Sequence, residues 1–323
     1  MIDDSPYCRH ENDLDDAPDP KNHLIVASVS GGKDSTAMAL WLKDQGLDYR
    51  CVFADTGWED RQTYDYLRDV LPGVIGPIDW VRREVPLEGE AEALALRFEE
   101  RLGHYSPMIR SCIKKGLMPS RVTRWCTTDL KVDPVKRYIA AIDDAVISAV
   151  GIRGEESARR AAMPVWEFNR KMRVDVWRPI LSWTMQDVID IHHRHGIKPN
   201  PKYLDGAERV GCWPCIFSRK KEIRQFGRDS ERVAIVRDLE RAIYDIQTRK
   251  IAEKGEEDRR GDTVGWFYPK TGRGGNGWSI DKTIQWANTS RGGRQFELFA
   301  AWGEEAGCVR WGMCDTGIEG GEE

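Results

Sequence analysis

Short apolar runs alternate with longer mixed segments through the first two hundred residues of the chain. The apolar runs predict buried strands at 23–30, 49–55, 78–85, 144–151 and 176–180. The mixed segments predict helices at 34–46, 59–71, 89–102, 132–142 and 184–196. Strands and helices that alternate in this way are typical of a mostly parallel sheet with helices on both faces. We therefore predict an α/β, doubly wound fold.

Composition divides the chain into three regions. Residues 1–21 are polar and acidic, which predicts a flexible tail. Residues 22–203 contain the alternating pattern and are predicted to form one α/β domain. Residues 204–323 combine a charged, helical stretch with glycine-rich loops such as GWFYPKTGRGGNGW. We expect this C-terminal region to be mainly helical and rich in loops.

The overall composition is that of an ordinary soluble protein. Apolar residues make up 40% and charged residues 32% of the 323 residues, and the net charge is −4, so no global basicity points to nucleic acid. No apolar run is long enough to span a membrane, and the acidic N-terminus does not resemble a signal peptide. We expect a cytoplasmic protein without membrane contact, whose eight cysteines serve metal or redox chemistry.

The segment SVSGGKDSTA, residues 28–37, follows the first predicted strand and opens the first predicted helix. Glycines at this position let unpaired backbone N–H groups approach a phosphate at the positive end of the helix dipole. Lys33 adds a positive charge, and Asp34 is a candidate ligand of Mg²⁺. A Walker A loop has glycine where Ala27 stands and a hydroxyl residue where Asp34 stands, so this is a different phosphate loop.

Cysteines form a second group of candidate residues. Cys212 and Cys215 form a Cys-x-x-Cys pair, which suits one metal ion or cluster. A redox dithiol and two ordinary core thiols are alternative interpretations of the same pair.

The loop SGGKDS resembles the PP-loop of the adenine nucleotide α-hydrolases, which include the phosphoadenosine phosphosulfate reductases. Further segments are similar to the reductase-like branch and occur in the same order: FADTGWEDRQTYDYL, RWCTTDLKVDPV, GIRGEESARR, PILSWTMQDV and NPKYLDGAERVGCWPC. The resemblance covers about residues 24–217. It implies a doubly wound sheet with ATP at the carboxyl ends of the strands.

The resemblance also implies which residues bind the nucleotide. These are Ser30, Gly31, Gly32, Asp34, Ser35, Thr36, Asp55, Gly57, Arg153 and Glu156. Iron–sulfur members of the family bind a [4Fe–4S] cluster through a Cys-Cys pair and a distant Cys-x-x-Cys. In this chain Trp125 stands beside Cys126, so the resemblance implies three matched ligands. Cys112 and Cys314 are candidates for the fourth, a site with three thiolates alone is the other possibility, and Zn²⁺ is the alternative to the cluster.

The implied reaction is cleavage of ATP between the α and β phosphates, which adenylates an acceptor for sulfur transfer. Lys33, Asp34, Asp55 and Cys314 are the candidate catalytic residues, with a cysteine desulfurase as a candidate sulfur donor. One alternative is a sulfonucleotide reductase that uses thioredoxin, although Cys314 lacks the flanking Glu and His of those enzymes. The other is a non-catalytic nucleotide-binding subunit.

The acceptor is predicted to be either a nucleic acid, such as tRNA or DNA, or a small nucleotide. Residues 110–137 contain eight Lys or Arg and two Asp, and this local charge favours nucleic acid. The alternative interpretation is that these basic residues contribute only to the binding of ATP. The histidines of HHRH at 192–195 are interpreted as a solvated helix end.

Overall fold

A computed structural model describes residues 17–121, 123–255, 257, 265, 278–289 and 311. Its centre is a six-stranded sheet in the order β3-β2-β1-β4-β6-β5. The strands are β1 (Leu24–Ser28), β2 (Tyr49–Asp55), β3 (Ile78–Arg82), β4 (Val146–Val150), β5 (Trp166–Asn169) and β6 (Val174–Trp177). All neighbouring pairs are parallel except β5 with β6. The predicted α/β fold, with a mostly parallel sheet, is confirmed.

Helices cover the sheet and continue beyond it. They are α1 (Lys33–Asp44), α2 (Arg61–Asp65), α3 (Pro72–Ile75), α4 (Gly89–Leu102), α5 (Pro107–Lys115), α6 (Trp125–Thr127), α7 (Asp133–Ala140), α8 (Ala158–Ala161), α9 (Met185–Arg194), α10 (Pro201–Leu204), α11 (Lys220–Phe226), α12 (Ser230–Glu253) and α13 (Ile280–Ala287). Helix α9 begins with a capping box between Thr184 and Asp187, the cap that its sequence predicts.

Three elements differ from the sequence prediction. The helix expected at 59–71 is interrupted by a π-helical turn at Tyr66–Val70. Helix α5 was not predicted, because four charged or hydroxyl residues mask its apolar face; it begins with a Ser106 cap and Pro107. Strand β5 has only four residues, too few for an alternating pattern to be visible.

Two large hydrophobic cores lie on different parts of the molecule. The first surrounds the sheet and includes Ile25, Leu40 and Phe53. The second joins α4 and α5 to the C-terminal helices α11, α12 and α13, and includes Ile109, Phe226 and Leu239. The chain therefore forms a helical layer from segments on both sides of the predicted boundary at 203.

The interpretation of HHRH as a solvated helix end is wrong for His192, whereas His193 is exposed as predicted. His192 is fully buried, and its ring lies 5.2 Å from that of Trp311. His193 lies 2.8 Å from the Trp311 carbonyl oxygen. The apolar face of α9 extends to its last turn, so His192, which lies on that face, packs against the core. None of the described helices is sufficiently long and apolar to cross a membrane.

Candidate functional site

The glycine-rich loop lies between the end of β1 and the start of α1. Gly31 has a φ of +69°, and a Cβ there would lie 3.1 Å from the Thr63 methyl group, so both conformation and space require glycine. Gly32 is the N-cap of α1. Among the described residues, no acceptor lies within hydrogen-bond distance of the backbone N–H groups of Gly31 and Gly32. Both groups are therefore available to an anion at the positive end of the helix dipole.

The hydroxyl residues of the loop have different roles. The Ser30 backbone N–H donates to Ser35 Oγ at 3.2 Å, and the Ser35 hydroxyl donates to the Gly32 carbonyl at 3.0 Å. These bonds hold the loop in shape. Thr36, predicted to contact nucleotide, is fully buried beside Tyr66 and faces the core. The helical period turns its side chain away from the loop surface.

Asp34 lies between two cations. Its Oδ1 accepts from Arg153 Nε at 2.5 Å, and its Oδ2 lies 3.3 Å from Lys33 Nζ. Burial lowers the pKa of Lys33, whereas the Asp34 charge raises it. Because both carboxylate oxygens already face cations, Mg²⁺ would have to compete with Lys33 for Asp34.

Close packing holds Arg153 in place. Gly151 follows β4, and a Cβ there would lie 2.7 Å from Ser35 Cα. The backbone therefore passes directly against the first turn of α1. Two residues later, the buried Arg153 guanidinium reaches both Asp34 and Glu155.

A cavity of about 850 Å³ opens beside the loop, and we call it the loop cavity. Of the predicted residues, Lys33, Arg153 and Glu156 line it. Arg160, which pairs with Glu156, lines it as well, as does Arg209. Arg219 is the fifth cation of the lining, which also contains three carboxylates, Glu155, Glu156 and Glu208. The lining is therefore net positive and favours an anionic ligand such as a polyphosphate.

Asp55 lies at the end of β2 and lines a different cavity, of about 790 Å³. Its Oδ1 accepts from the Gly57 N–H and from the Tyr64 hydroxyl, both at 2.8 Å. Burial, followed by the charge of Glu59, raises the pKa of Asp55. Gly57 has a structural reason to be glycine, because a Cβ there would lie 2.5 Å from Ser106 Cα.

The predicted thiols lie in one part of the helical layer. Cys112 and Cys126 are buried in the second hydrophobic core, and Cys212 and Cys215 pack against it. The five cysteines of the described region form no disulfides. Thiolates suit an iron–sulfur cluster or zinc by their chemistry, but no group of three His, Cys, Asp or Glu side chains in the described ranges is arranged to hold a metal ion. Cys314 lies outside the described residues.

Lys131 is the positively charged residue that lies next to the cysteine group. It lines a small cavity of about 110 Å³ together with Cys212 and Cys215. Burial raises the pKa of the Cys212 thiol to about 12, whereas the Lys131 charge lowers it. The Cys212 thiol also lies 3.6 Å from Glu59 Oε1. The cysteine group is therefore next to the loop that follows Asp55.

Several basic side chains of residues 110–137 are already paired with other groups of the protein. Arg110 is buried and forms ion pairs of 2.7 Å with Glu92 and Glu99. Arg121 donates to the Ile216 carbonyl at 2.9 Å, and Lys131 faces the cysteines. These three cations support the helical layer and are not part of an open basic surface.

Two further residues cover the glycine-rich loop. The Lys33 backbone N–H donates to the Tyr203 hydroxyl at 3.1 Å, and Asn200 Nδ2 donates to the Gly31 carbonyl at 3.2 Å. The segment NPKY belongs to the motif that ends in Cys-x-x-Cys, and the sequence pattern alone predicts no contact between its residues and the loop. Segment 200–215 thus runs from the loop to the cysteine group.

Comparison with known proteins matches residues 24–218 to the family model described as the phosphoadenosine phosphosulfate reductase domain. The chain belongs to the phosphoadenosine phosphosulfate reductase family. Members of this family are typically enzymes that act on nucleotides. The matched residues contain the sheet, the loop cavity and the cysteine group, so the nucleotide-binding PP-loop fold predicted from the sequence is confirmed.

Proteins similar to this chain include phage and bacterial proteins. An uncharacterized 37.8 kDa protein of Escherichia phage 186 is 35% identical over 340 residues, which cover 90% of this chain and 97% of the phage protein. The adenosine 5′-phosphosulfate reductase of Streptomyces coelicolor is 29% identical over 51% of this chain, and the match spans 60% of that enzyme. A phosphoadenylyl-sulfate reductase structure from Candida auris is 17% identical, with a TM-score of 0.43, over 59% of this chain and 82% of that one.

Proposed function

We propose that this protein binds ATP with Mg²⁺ at the glycine-rich loop, cleaves it between the α and β phosphates and transfers sulfur to the adenylated acceptor. One observation carries the proposal. The backbone N–H groups of Gly31 and Gly32 have no protein acceptor in the described region, and Lys33 beside them lines the loop cavity. Paired N–H groups at a helix N-terminus next to a cation form a site for a pyrophosphate group.

The first step is attack on ATP. An acceptor oxygen forms a bond to the α-phosphorus, the bond from that phosphorus to the bridging oxygen breaks, and the electron pair leaves with pyrophosphate. The loop N–H groups and Lys33 stabilise the departing charge, while Arg153 positions Asp34. Mg²⁺ enters with the triphosphate, and Asp34 would face it once Lys33 turns towards the phosphates.

The second step is sulfur transfer. A sulfide forms the new bond to the acceptor, and AMP leaves with the electrons of the broken bond to oxygen. We propose that Cys126, Cys212 and Cys215 hold a [4Fe–4S] cluster, with Cys112 or Cys314 as fourth ligand and Zn²⁺ as the alternative. If bound there, such a cluster would supply the sulfide for transfer, which a donor such as a cysteine desulfurase would provide. Cys212 and Cys215 lie at the end of segment 200–215, which begins at the glycine-rich loop, and this position supports the proposal.

The relatives named adenosine 5′-phosphosulfate reductases favour a second candidate function. In that function the loop cavity binds a sulfonucleotide, and the thiolate of a tail cysteine such as Cys314 forms a bond to its sulfur while the bond from that sulfur to the phosphate oxygen breaks and the nucleotide leaves. Thioredoxin, a dithiol, then reduces the resulting S-sulfonate, which releases sulfite and restores the thiol. The two functions release different products. A sulfurtransferase produces pyrophosphate and AMP from ATP, whereas a reductase produces sulfite.

The test uses protein purified without oxygen and given ATP, Mg²⁺, sulfide and candidate acceptors. We expect pyrophosphate release that Asp34→Asn reduces at least tenfold. Asp44→Asn is the matched control, because Asp44 lies at the other end of the same helix and pairs with Arg194 on the surface. Sulfite release from a sulfonucleotide without any pyrophosphate from ATP would replace the proposal with the reductase function.

A further inference from the structure

The second large cavity, which contains Asp55, lies at the edge of the sheet and is here called the edge cavity. It encloses about 790 Å³. Its walls are the ends of β2 and β3, the helix α2, the end of α4 and the start of α12, so it lies where the sheet core meets the helical layer. Ligand sites are frequent at such junctions, and this volume suits a nucleotide.

We propose that the edge cavity binds a nucleobase of the acceptor, stacked on Trp80. This inference rests on the proposed function, because it names the class of acceptor for the same reaction. The carboxyl ends of the parallel strands lie on one side of the sheet, and both the glycine-rich loop and the edge cavity are on that side. An acceptor bound in the edge cavity is therefore on the same side of the sheet as ATP.

Trp80 is the proposed stacking surface. It is 39% exposed although it lies on β3, and it lines the cavity. Its ring stacks on Tyr64 with centroids 6.0 Å apart and an interplanar angle of 21°, and it meets the edge of Phe53 at 4.8 Å. The indole is thus held in one orientation while part of it stays open to the cavity. An open, fixed aromatic ring is what a base needs for stacking.

Arg68, beside Trp80, supplies positive charge for a phosphate in a cavity whose lining also contains seven carboxylates and four further arginines. The Arg68 guanidinium lies 5.9 Å from the Trp80 ring centre, and its only ion pair in the described region is a 3.9 Å contact with Asp65. Arg82 lies over the Tyr105 ring at 4.8 Å and lines the same cavity, but its Nε donates to Glu84 at 2.8 Å, so Arg68 is the arginine with the weaker ion pair. Arginine next to an aromatic ring recognises the combination of a base and its phosphate.

Asp55 supplies an acceptor for the edge of the base. Both of its hydrogen bonds, from Gly57 and Tyr64, go to Oδ1. Among the described residues, no donor lies within hydrogen-bond distance of Oδ2. This oxygen can accept from an N–H group of a base, so the cavity favours a base that presents such a donor.

The test measures binding of fluorescein-labelled, single-stranded RNA and DNA octanucleotides and of the four 5′-mononucleotides. Saturating α,β-methylene ATP keeps the glycine-rich loop occupied. Trp80→Ala is expected to weaken binding by about 5- to 150-fold. Arg68→Gln is expected to weaken it by about two- to fivefold and to reduce its salt dependence. If the Trp80→Ala variant does not fold, the affinities of the Trp80→Phe and Arg68→Gln variants for the same probes test the proposal.

Matched controls are available for both substitutions. Phe168 is 37% exposed on β5 at the opposite edge of the sheet, and Arg241 lies 3.8 Å from Asp238 at the same sequence spacing as Arg68 and Asp65. Phe168→Ala and Arg241→Gln should leave binding unchanged. Equal affinity for a mononucleotide and an octamer identifies a free nucleotide as the acceptor, and tighter binding of the octamer identifies a nucleic acid.

Two results would overturn the inference: no binding of any probe at millimolar concentration, or binding that the folded Trp80 and Arg68 variants leave within twofold of the wild type. Neither result depends on hydrolysis of ATP. Failure of the proposed reaction is recognised separately, by the absence of pyrophosphate in the assay with Asp34→Asn.

Discussion

Gly151 tests whether close packing of β4 against α1 shapes the nucleotide site. A methyl group added at this position would lie 2.7 Å from Ser35 Cα and 2.8 Å from both the Asp34 carbonyl oxygen and the Ser35 nitrogen. The closest contact is about 0.7 Å short of the 3.4 Å at which ordinary van der Waals contact begins. All three atoms belong to the backbone, so no side chain can rotate away. Gly151→Ala must therefore move the first turn of α1.

We expect Gly151→Ala to lower the free energy of unfolding by about 1–3 kcal/mol, the usual cost of overpacking. Affinity for ATP with Mg²⁺ should fall at least tenfold, because Asp34 and Ser35 move with the helix. Urea denaturation and isothermal titration calorimetry measure the two effects. Gly73→Ala is the control, since a Cβ at Gly73 meets nothing within 4 Å. A Gly151→Ala variant with wild-type stability and wild-type ATP affinity would refute the packing argument.

Three other predictions concern charge and ligands. Burial lowers the pKa of Lys33, so affinity for ATP should decrease as the pH rises through that lowered pKa. In the Lys33→Arg variant the side chain stays charged, so an equal decrease in its affinity for ATP would contradict this prediction. Burial lowers the pKa of His192 from its ordinary value of 6.5 to about 4. The free energy of unfolding should therefore be highest above pH 6.5 and should decrease by about 3 kcal/mol as the pH falls towards 4. His192→Phe should remove that loss in acid denaturation; an unchanged pH profile would count against it. Cys212→Ser should reduce the iron bound per chain after anaerobic reconstitution, whereas Cys51→Ser, at a buried thiol of the sheet core, should not; equal iron in both would contradict the ligand assignment.

The sequence was sufficient for features that depend on local pattern. The apolar run at 49–55 and the strand β2 coincide, and the glycine-rich loop lies where its position between strand and helix predicts. The convergence of Cys126 with Cys212 and Cys215 was implied by family resemblance, because no rule of spacing brings residues so far apart in the chain together.

Other features depend on contacts between distant segments. Tyr203 covers a loop that lies 170 residues earlier in the chain, and no periodicity signals this contact. The separation of Asp55 from Lys33 into two cavities follows from how α4 and α12 pack against the sheet edge. Arg110 was counted as part of a basic surface, but its carboxylate partners, Glu92 and Glu99, come from another helix. Charge in the sequence does not reveal which cations are already paired.

The claim that the glycine-rich loop binds the polyphosphate of ATP is tested most directly by comparing ATP, ADP and AMP in calorimetric titrations with Mg²⁺. If the N–H groups of Gly31 and Gly32 and the Lys33 ammonium hold the β and γ phosphates, affinity should fall steeply from ATP to AMP. Equal affinity for ATP and AMP, or no binding of ATP at all, would contradict the claim.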